Sequence, residues 1–506
     1  MIDLAQQAAC AQAAERWVES HKITRFFTSH TVLAFFYGAF LFLYEVKFLR
    51  QLIPVVHPVL IAWAGLLFLY DVLVRCCWNK LPLWKVLALF VVSTVITAVL
   101  NFNVSVSGSV KGVILTVLPL VAFYPVCLLV PRQERTRTLL KALLGGAIVV
   151  FFASLAAIGL YMMRFGGTVQ FMGMESQIGI RLYDPRYADS GIILYGFYED
   201  TNHPAGYAII FAFYSVALFF SCRKGLFAKT WQNLLGEVFA VANFIVQLCY
   251  FPLANSRGGW LSLGVSLFVS AFLYLFCQRL PGRGTAVRAI GSMAAALACV
   301  VLVGGCLMGV RGGLSHLSIS LEQSWVQAVI PFRPGVSAAF PLLPVDDAQV
   351  DSFKKRNEHF GAERIQIWQE AAKLYLNRPV FGEAPGNTLY YTQQYFAEGE
   401  SMQLIFGKDL HNSYLDLLVD YGAVGFILLM SFFAVCGWTV LQAALRGKRA
   451  FGISYFAALG GVLMTACCAC LLSCAFINTT AMYFVMLVMI SYLMAESGDA
   501  PAVRAE

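Results

Sequence analysis

In the stretch Asp409-Leu-His-Asn-Ser-Tyr-Leu-Asp-Leu-Leu-Val-Asp-Tyr-Gly-Ala-Val-Gly425 a long polar segment gives way to an apolar one. His411 and Asn412 are the last strongly polar pair before an apolar run that opens near Tyr414 and reaches residue 441. A run of that length suits a helix through a bilayer, which needs roughly 20 mostly apolar residues. Asn412 or Ser413 can cap it. The titratable ring of His411 is then expected at the lip of a membrane, facing whatever the polar segment encloses.

The same pattern recurs outward in both directions. Of 506 residues, 59% are hydrophobic and 13% charged, with mean hydropathy +0.70. A soluble domain keeps about 25% charged residues. Apolar blocks fall near 29–45, 56–75, 86–102, 111–130, 139–163, 204–221, 232–253, 259–277, 289–310, 413–441, 453–475 and 478–495. They predict an all-α polytopic membrane protein of about twelve transmembrane helices. Basic clusters alternate with them: Arg16/Lys22/Arg25, Arg75/Lys80/Lys85, Arg132/Arg135/Arg137/Lys141, Arg223/Lys224/Lys229, Arg279/Arg283/Arg288 and Arg446/Lys448/Arg449. All fall on one side if the amino terminus is cytoplasmic, which puts both termini inside. The net charge of +8 then reports topology, and no nucleic-acid partner is expected.

The expected organisation is a cytoplasmic segment 1–28, nine spans over 29–310, a large external loop or cap 311–411, three spans over 412–495 and a cytoplasmic tail 496–506. Residues 1–28 lack the apolar core and cleavage site of a signal peptide. None of the 14 cysteines lies in the two long polar loops, so an external disulfide framework is not expected. Cys467-Cys-Ala-Cys470 reads as helix packing rather than a metal site. A first external loop spans 164–203. In the second, Gly361–Asn377 reads as an amphipathic helix with Ile365, Trp368, Ala372 and Tyr375/Leu376 on one face. Arg378-Pro379 ends it, and Gly382-Glu-Ala-Pro-Gly386 is a turn cluster. A small helical cap on the external membrane surface is expected.

Several residues can carry chemistry. Arg257, in the link Asn255-Ser-Arg-Gly-Gly-Trp260, is either an anchor snorkelling to headgroups or a phosphate clamp, since its planar fork suits phosphate oxygens. Arg364 either pairs with Glu363 or Glu370 or belongs to an active site. His411 is either satisfied by Asp409 or a catalytic base. In the first loop, Thr201-Asn-His-Pro204 is a helix-entry signal in which Asn202 is a capping candidate. A helix start with Arg181 and Arg186 nearby can also hold an anion.

Together these stretches resemble the O-antigen ligase/polymerase family of bacterial envelope enzymes. Ser256-Arg-Gly-Gly-Trp260 is similar to its Ser-Arg-Gly element. Arg364-Ile-Gln-Ile-Trp368, followed by Asn377-Arg-Pro379 and Gly382, is similar to its Arg-x-x-x-Trp … Pro-x-x-Gly element. His411-Asn-Ser-Tyr414 with Asp420-Tyr-Gly422 and Gly425 is similar to its His-Asn-x-Tyr … Glu-Tyr-Gly element, with Asp420 standing where many relatives have Glu. The resemblance implies a lipid-dependent glycosyltransferase of GT-C type architecture in the bacterial cytoplasmic membrane, active on the external face. Its donor would be a glycan on undecaprenyl pyrophosphate and its acceptor a hydroxyl of a glycan or lipid-linked glycan. Arg257 and Arg364 would hold the pyrophosphate and His411 would activate the acceptor, with inversion and with no cofactor or metal. Arg181, Arg186, Asn202, Asn412 and Tyr414 would line the substrate. Two other readings stand beside it: a transporter of polysaccharide precursors or small anions, although no matched halves or mid-membrane polar site are legible, and a non-catalytic assembly scaffold.

Overall fold

In the computed structural model the apolar blocks are helices, because a chain bathed in lipid must satisfy its backbone N–H and C=O groups within itself. The structure describes residues 21–46, 49–50, 56–163, 165–171, 174–182, 192–198, 201–277, 285–321, 362–395, 410, 412–446, 451–470 and 481–498. A short helix α1 (Lys22–Phe27) leads into α2 (His30–Glu45), α3 (Val56–Leu73), α4 (Trp84–Leu100), α5 (Val106–Phe123) and α6 (Arg135–Met162). After the first long loop come α7 (Asn202–Arg223), α8 (Thr230–Ala254), α9 (Arg257–Cys277) and α10 (Thr285–Leu321). Two helices of the second loop, α11 (Ala362–Asn377) and α12 (Thr388–Tyr395), precede α13 (Ser413–Arg446), α14 (Ile453–Ala469) and α15 (Ala481–Ser497). Among the described residues, eight of these (α3, α5–α10 and α13) are long and apolar enough to cross a membrane. The shorter apolar helices α2, α4, α14 and α15 accompany them. These helices overlie the apolar blocks read from the sequence.

The core centres on α15, which is buried on every side from Ala481 to Ala495. Phe484 of α15 meets Phe123 of α5 edge-on at 4.8 Å, and Phe123 meets Tyr37 of α2 at 4.9 Å. Gly38 lets the Phe484 ring lie against α2, since a Cβ there would come within 2.7 Å of it. Two buried polar clusters pair across helices, as burial favours. His30 Nε2 lies 2.6 Å from Asp71 Oδ2 and its Nδ1 2.9 Å from the Ala122 carbonyl, tying α2, α3 and α5 together. Arg135, placed by the sequence in a basic connection, is buried: it donates to the Ala495 carbonyl at 2.5 Å and stands 3.7 Å from Glu496.

Three features depart from the sequence reading. The first loop is not only irregular: β1 (Gly166–Phe171), β2 (Met174–Leu182) and β3 (Ile192–Gly196) form an antiparallel sheet in the order β1-β2-β3. Ile193 and Leu194 are buried, so the sheet is seated on the helices. α10 continues past residue 310 to Leu321, a length of 37 residues. α13 is two helical halves joined at Gly422, whose φ of 64° and ψ of −171° only glycine adopts readily.

Candidate functional site

The break in α13 is filled by the loop that follows α11. An unbroken helix would pair Ala423 N–H with the Val419 carbonyl and Val424 N–H with that of Asp420. Here Ala423 N–H donates to Pro379 O at 2.7 Å and Val424 N–H to Val380 O at 3.1 Å. The released carbonyls of Val419 and Asp420 accept from Glu383 N–H at 3.0 Å and Ala384 N–H at 2.9 Å. Thr97 Oγ1 and Asn101 Nδ2 of the α4 end donate to the carbonyls of Phe381 (2.7 Å) and Gly382 (3.2 Å). With the Arg378, Glu383 and Ala384 carbonyls also accepting, every carbonyl from Arg378 to Ala384 is satisfied. Gly382 (φ 72°) and Gly422 make this approach possible, since a Cβ on either would sit 2.5 Å from the other strand's backbone.

Side chains lock the loop. Arg378 Nη1 donates to Asn101 Oδ1 at 3.0 Å, and the same oxygen accepts from Tyr391 Oη at 2.6 Å. The Arg378 guanidinium also lies 4.7 Å from the Tyr391 ring centroid. Glu383 is 1% exposed, and neither carboxyl oxygen has a hydrogen-bond partner among the described residues. Burial, reinforced by the charge of Asp420 and opposed by Arg378, pushes its carboxyl up to about 9. The sequence reading used Arg378 only as a helix terminator. An external cation beside Asn101, a polar residue ending an apolar run, was the available signal for this network.

α11 forms over the expected residues, but its face is rotated. Ile367, Ala371 and Leu374 are buried against Tyr391, Leu410 and Val419, while Ile365 is 54% and Leu376 70% exposed. The floor beneath the helix is protein (α12 and the start of α13), and that floor selects the 367/371/374 stripe. Trp368 flanks the stripe and its Nε1 donates to the Leu410 carbonyl at 3.1 Å. The helix that carries Arg364 is therefore tied, one turn further along, to the residue immediately before His411.

A second locus is the corner between α8 and α9. Asn255 is left-handed (φ 51°) and ends α8. Ser256 Oγ accepts from Gly259 N–H at 3.0 Å, capping α9, and donates to Asn202 Oδ1 at 2.7 Å. Gly259 permits close packing of the two helix starts, because a Cβ there would lie 3.2 Å from that of Ala205. Arg257 opens α9 and is exposed.

Each sequence-predicted residue can now be placed. Asn202 opens α7 and does not cap it: the N-cap is Thr201, which makes no side-chain cap bond, and the Asn202 amide serves Ser256. Asn412 does cap: its Oδ1 accepts from Tyr414 N–H at 3.0 Å and Leu415 N–H at 3.3 Å. Tyr414 Oη donates to the Ala466 carbonyl of α14 at 3.1 Å. The backbone of Arg181 pairs with Ile193 in the sheet and that of Arg364 lies in the first turn of α11; their side chains, with Arg186 and His411, lie outside the described residues. Asn202 is thus joined to Ser256, the residue before Arg257, and Asn412 to Tyr414.

This architecture defines a polytopic helical membrane protein whose second long loop docks into a broken helix. Over residues 242–430, which contain all three motif stretches, the chain matches the O-antigen ligase family. No curated protein matches the chain at a significant level. The family match supports a membrane glycosyltransferase of the O-antigen ligase/polymerase kind and implies lipid-linked glycan substrates.

Proposed function

We propose that this chain transfers or polymerises a glycan from an undecaprenyl-pyrophosphate donor onto an acceptor hydroxyl at the external face of the bacterial cytoplasmic membrane. The twelve apolar helices would all span, with both termini inside, in a GT-C type arrangement. The observation that carries the reading is the Trp368–Leu410 bond, which joins the second motif stretch to the third inside the family-matched region. Arg257 and Arg364 neutralise the charge that builds on the departing pyrophosphate. His411 takes the acceptor proton, worth roughly 10²- to 10⁴-fold in rate. Attack of the acceptor oxygen at the anomeric carbon, opposite the leaving pyrophosphate, inverts that centre. The leaving group is already activated, so no nucleotide is needed outside the cell. Asn412 and Tyr414 hold the segment beside His411, and Arg181 and Arg186 line the approach from the first loop.

The test is reconstitution of the purified chain in vesicles with a lipid-pyrophosphate-linked glycan. New glycosidic bonds of inverted configuration are expected, with His411→Ala reducing their rate by about 100-fold or more. Wild-type rates in His411→Ala, or glycan crossing sealed vesicles with no new bonds, would overturn the reading.

A further inference from the structure

Arg257 takes its position from the corner Asn255–Arg257, and two helices outside that corner grip it. From one side α10 reaches in through Arg311, whose Nη1 donates to Asn255 Oδ1 at 2.9 Å. From the other side α7 reaches in through Asn202, whose Oδ1 accepts from Ser256 Oγ at 2.7 Å. The gripped residues are the two immediately before Arg257. Asn255 is left-handed, a conformation that a short polar side chain tolerates, and Ser256 is fixed again by its bond from Gly259 N–H. Both external partners bond to neutral side chains.

We propose that Arg311 and Asn202 are positioning residues: they clamp the Asn255–Arg257 corner from two sides and fix the point from which Arg257 meets the donor's diphosphate. The proposal deepens the reading of Arg257 given above and rests on it. It assigns Asn202 to the clamp rather than to the substrate, and adds Arg311, which lies within α10. An error of about 1 Å in placing a charged group is enough to cost on the order of 100-fold in rate, so a fixed corner matters to a site that must align two substrates.

The experiment compares Arg311→Met, Asn255→Gly, their double variant and Arg311→Lys in the full-length chain. Glycine accepts the left-handed backbone of Asn255 and removes its side-chain amide, at some cost in backbone freedom, so Arg311→Met is the cleaner reading of exchange. Hydrogen exchange over residues 255–260 reads the clamp directly, and affinity for undecaprenyl pyrophosphate reads its consequence. Both single variants are expected to speed exchange in the corner and to weaken the lipid by about tenfold, with the double variant no worse than the weaker single. Arg311→Lys, which keeps a donor, is expected to recover much of the loss, and Asn202→Ala to loosen the same peptide from the other side. Unchanged exchange in Arg311→Met and Asn255→Gly overturns the clamp. So does an affinity loss confined to Arg311→Met, or losses that multiply in the double variant, since Arg311 would then touch the ligand itself. A wild-type chain with no affinity for undecaprenyl pyrophosphate defeats the reading of Arg257 instead, and the exchange result still decides the clamp.

Discussion

The corner at Asn255–Arg257 and the break at Gly422 are two interruptions of helix, held in opposite ways. At the corner the joint is made by side chains: Arg311 to Asn255, Asn202 to Ser256. At the break it is made by backbone: Pro379 and Val380 carbonyls to Ala423 and Val424, Glu383 and Ala384 amides to Val419 and Asp420. A side-chain joint can be weakened one bond at a time. A backbone joint tolerates nothing between its strands, and its two glycines face each other across a gap that admits no Cβ. The difference teaches which residues around the site are adjustable and which are fixed.

The sharpest way to break the comparison is Gly422→Ala. Its Cβ would sit 2.5 Å from the Val380 carbonyl in a backbone conformation alien to alanine, and a loss of about 3 kcal/mol or more is expected. Thermal unfolding in detergent checks it, and an unshifted midpoint would mean that the loop is not seated in α13. Next in size is a pH effect. Glu383 is neutral in the fold up to about 9, whereas its ordinary value is 4.5. The folded chain thus keeps a proton that the unfolded chain has released, so this group's contribution is fullest below about 4.5 and is lost as pH rises towards 9. Wild-type stability should fall by a few kcal/mol across that window. Glu383→Gln, neutral at every pH, should flatten the slope, and identical pH profiles for the two chains would count against a neutral Glu383. Asn101→Leu strips partners from Arg378, Tyr391 and the Gly382 carbonyl at once. About 2–3 kcal/mol is expected, because those groups stay behind unpaired. Smallest are the caps. Ser256→Ala and Asn412→Ala should each cost about 1 kcal/mol, and a midpoint shift as large as that of Gly422→Ala would erase the distinction between the two joints.

The helices were legible because lipid imposes one rule on every residue of a span. The apolar blocks, the turn cluster at Gly382–Gly386 and the cap at Asn412 follow from local chemistry. What was not legible depends on partners distant in sequence. Gly422 stands out in sequence only through its motif, and only the arrival of Pro379–Ala384 turns it into a break. The buried stripe of α11 was misread because Ile365 and Leu376 are as apolar as Ile367 and Leu374; the choice is made by Tyr391, Leu410 and Val419. The strands of the first loop escaped notice because β2 pairs with segments on both sides only after the chain folds back twice. Arg257 was singled out as a cation in the link between two spans, on the side away from the basic clusters. Arg311 obeys the same signal and was passed over because it was read as the first residue of a loop, whereas it lies within α10.

The length of α10 has a consequence of its own. At 1.5 Å per residue, its 37 residues make a rod of about 55 Å, against a hydrocarbon core of about 30 Å. The ten residues after Arg311, to Leu321, rise about 15 Å along the axis beyond Arg311, which holds the Asn255 corner. Ser318 Oγ, bonded at 3.0 Å to the Tyr161 carbonyl, braces this rise against the end of α6. Held at Asn255 by one bond and at Tyr161 by the other, the rise closes one flank of the corner from which α9 starts.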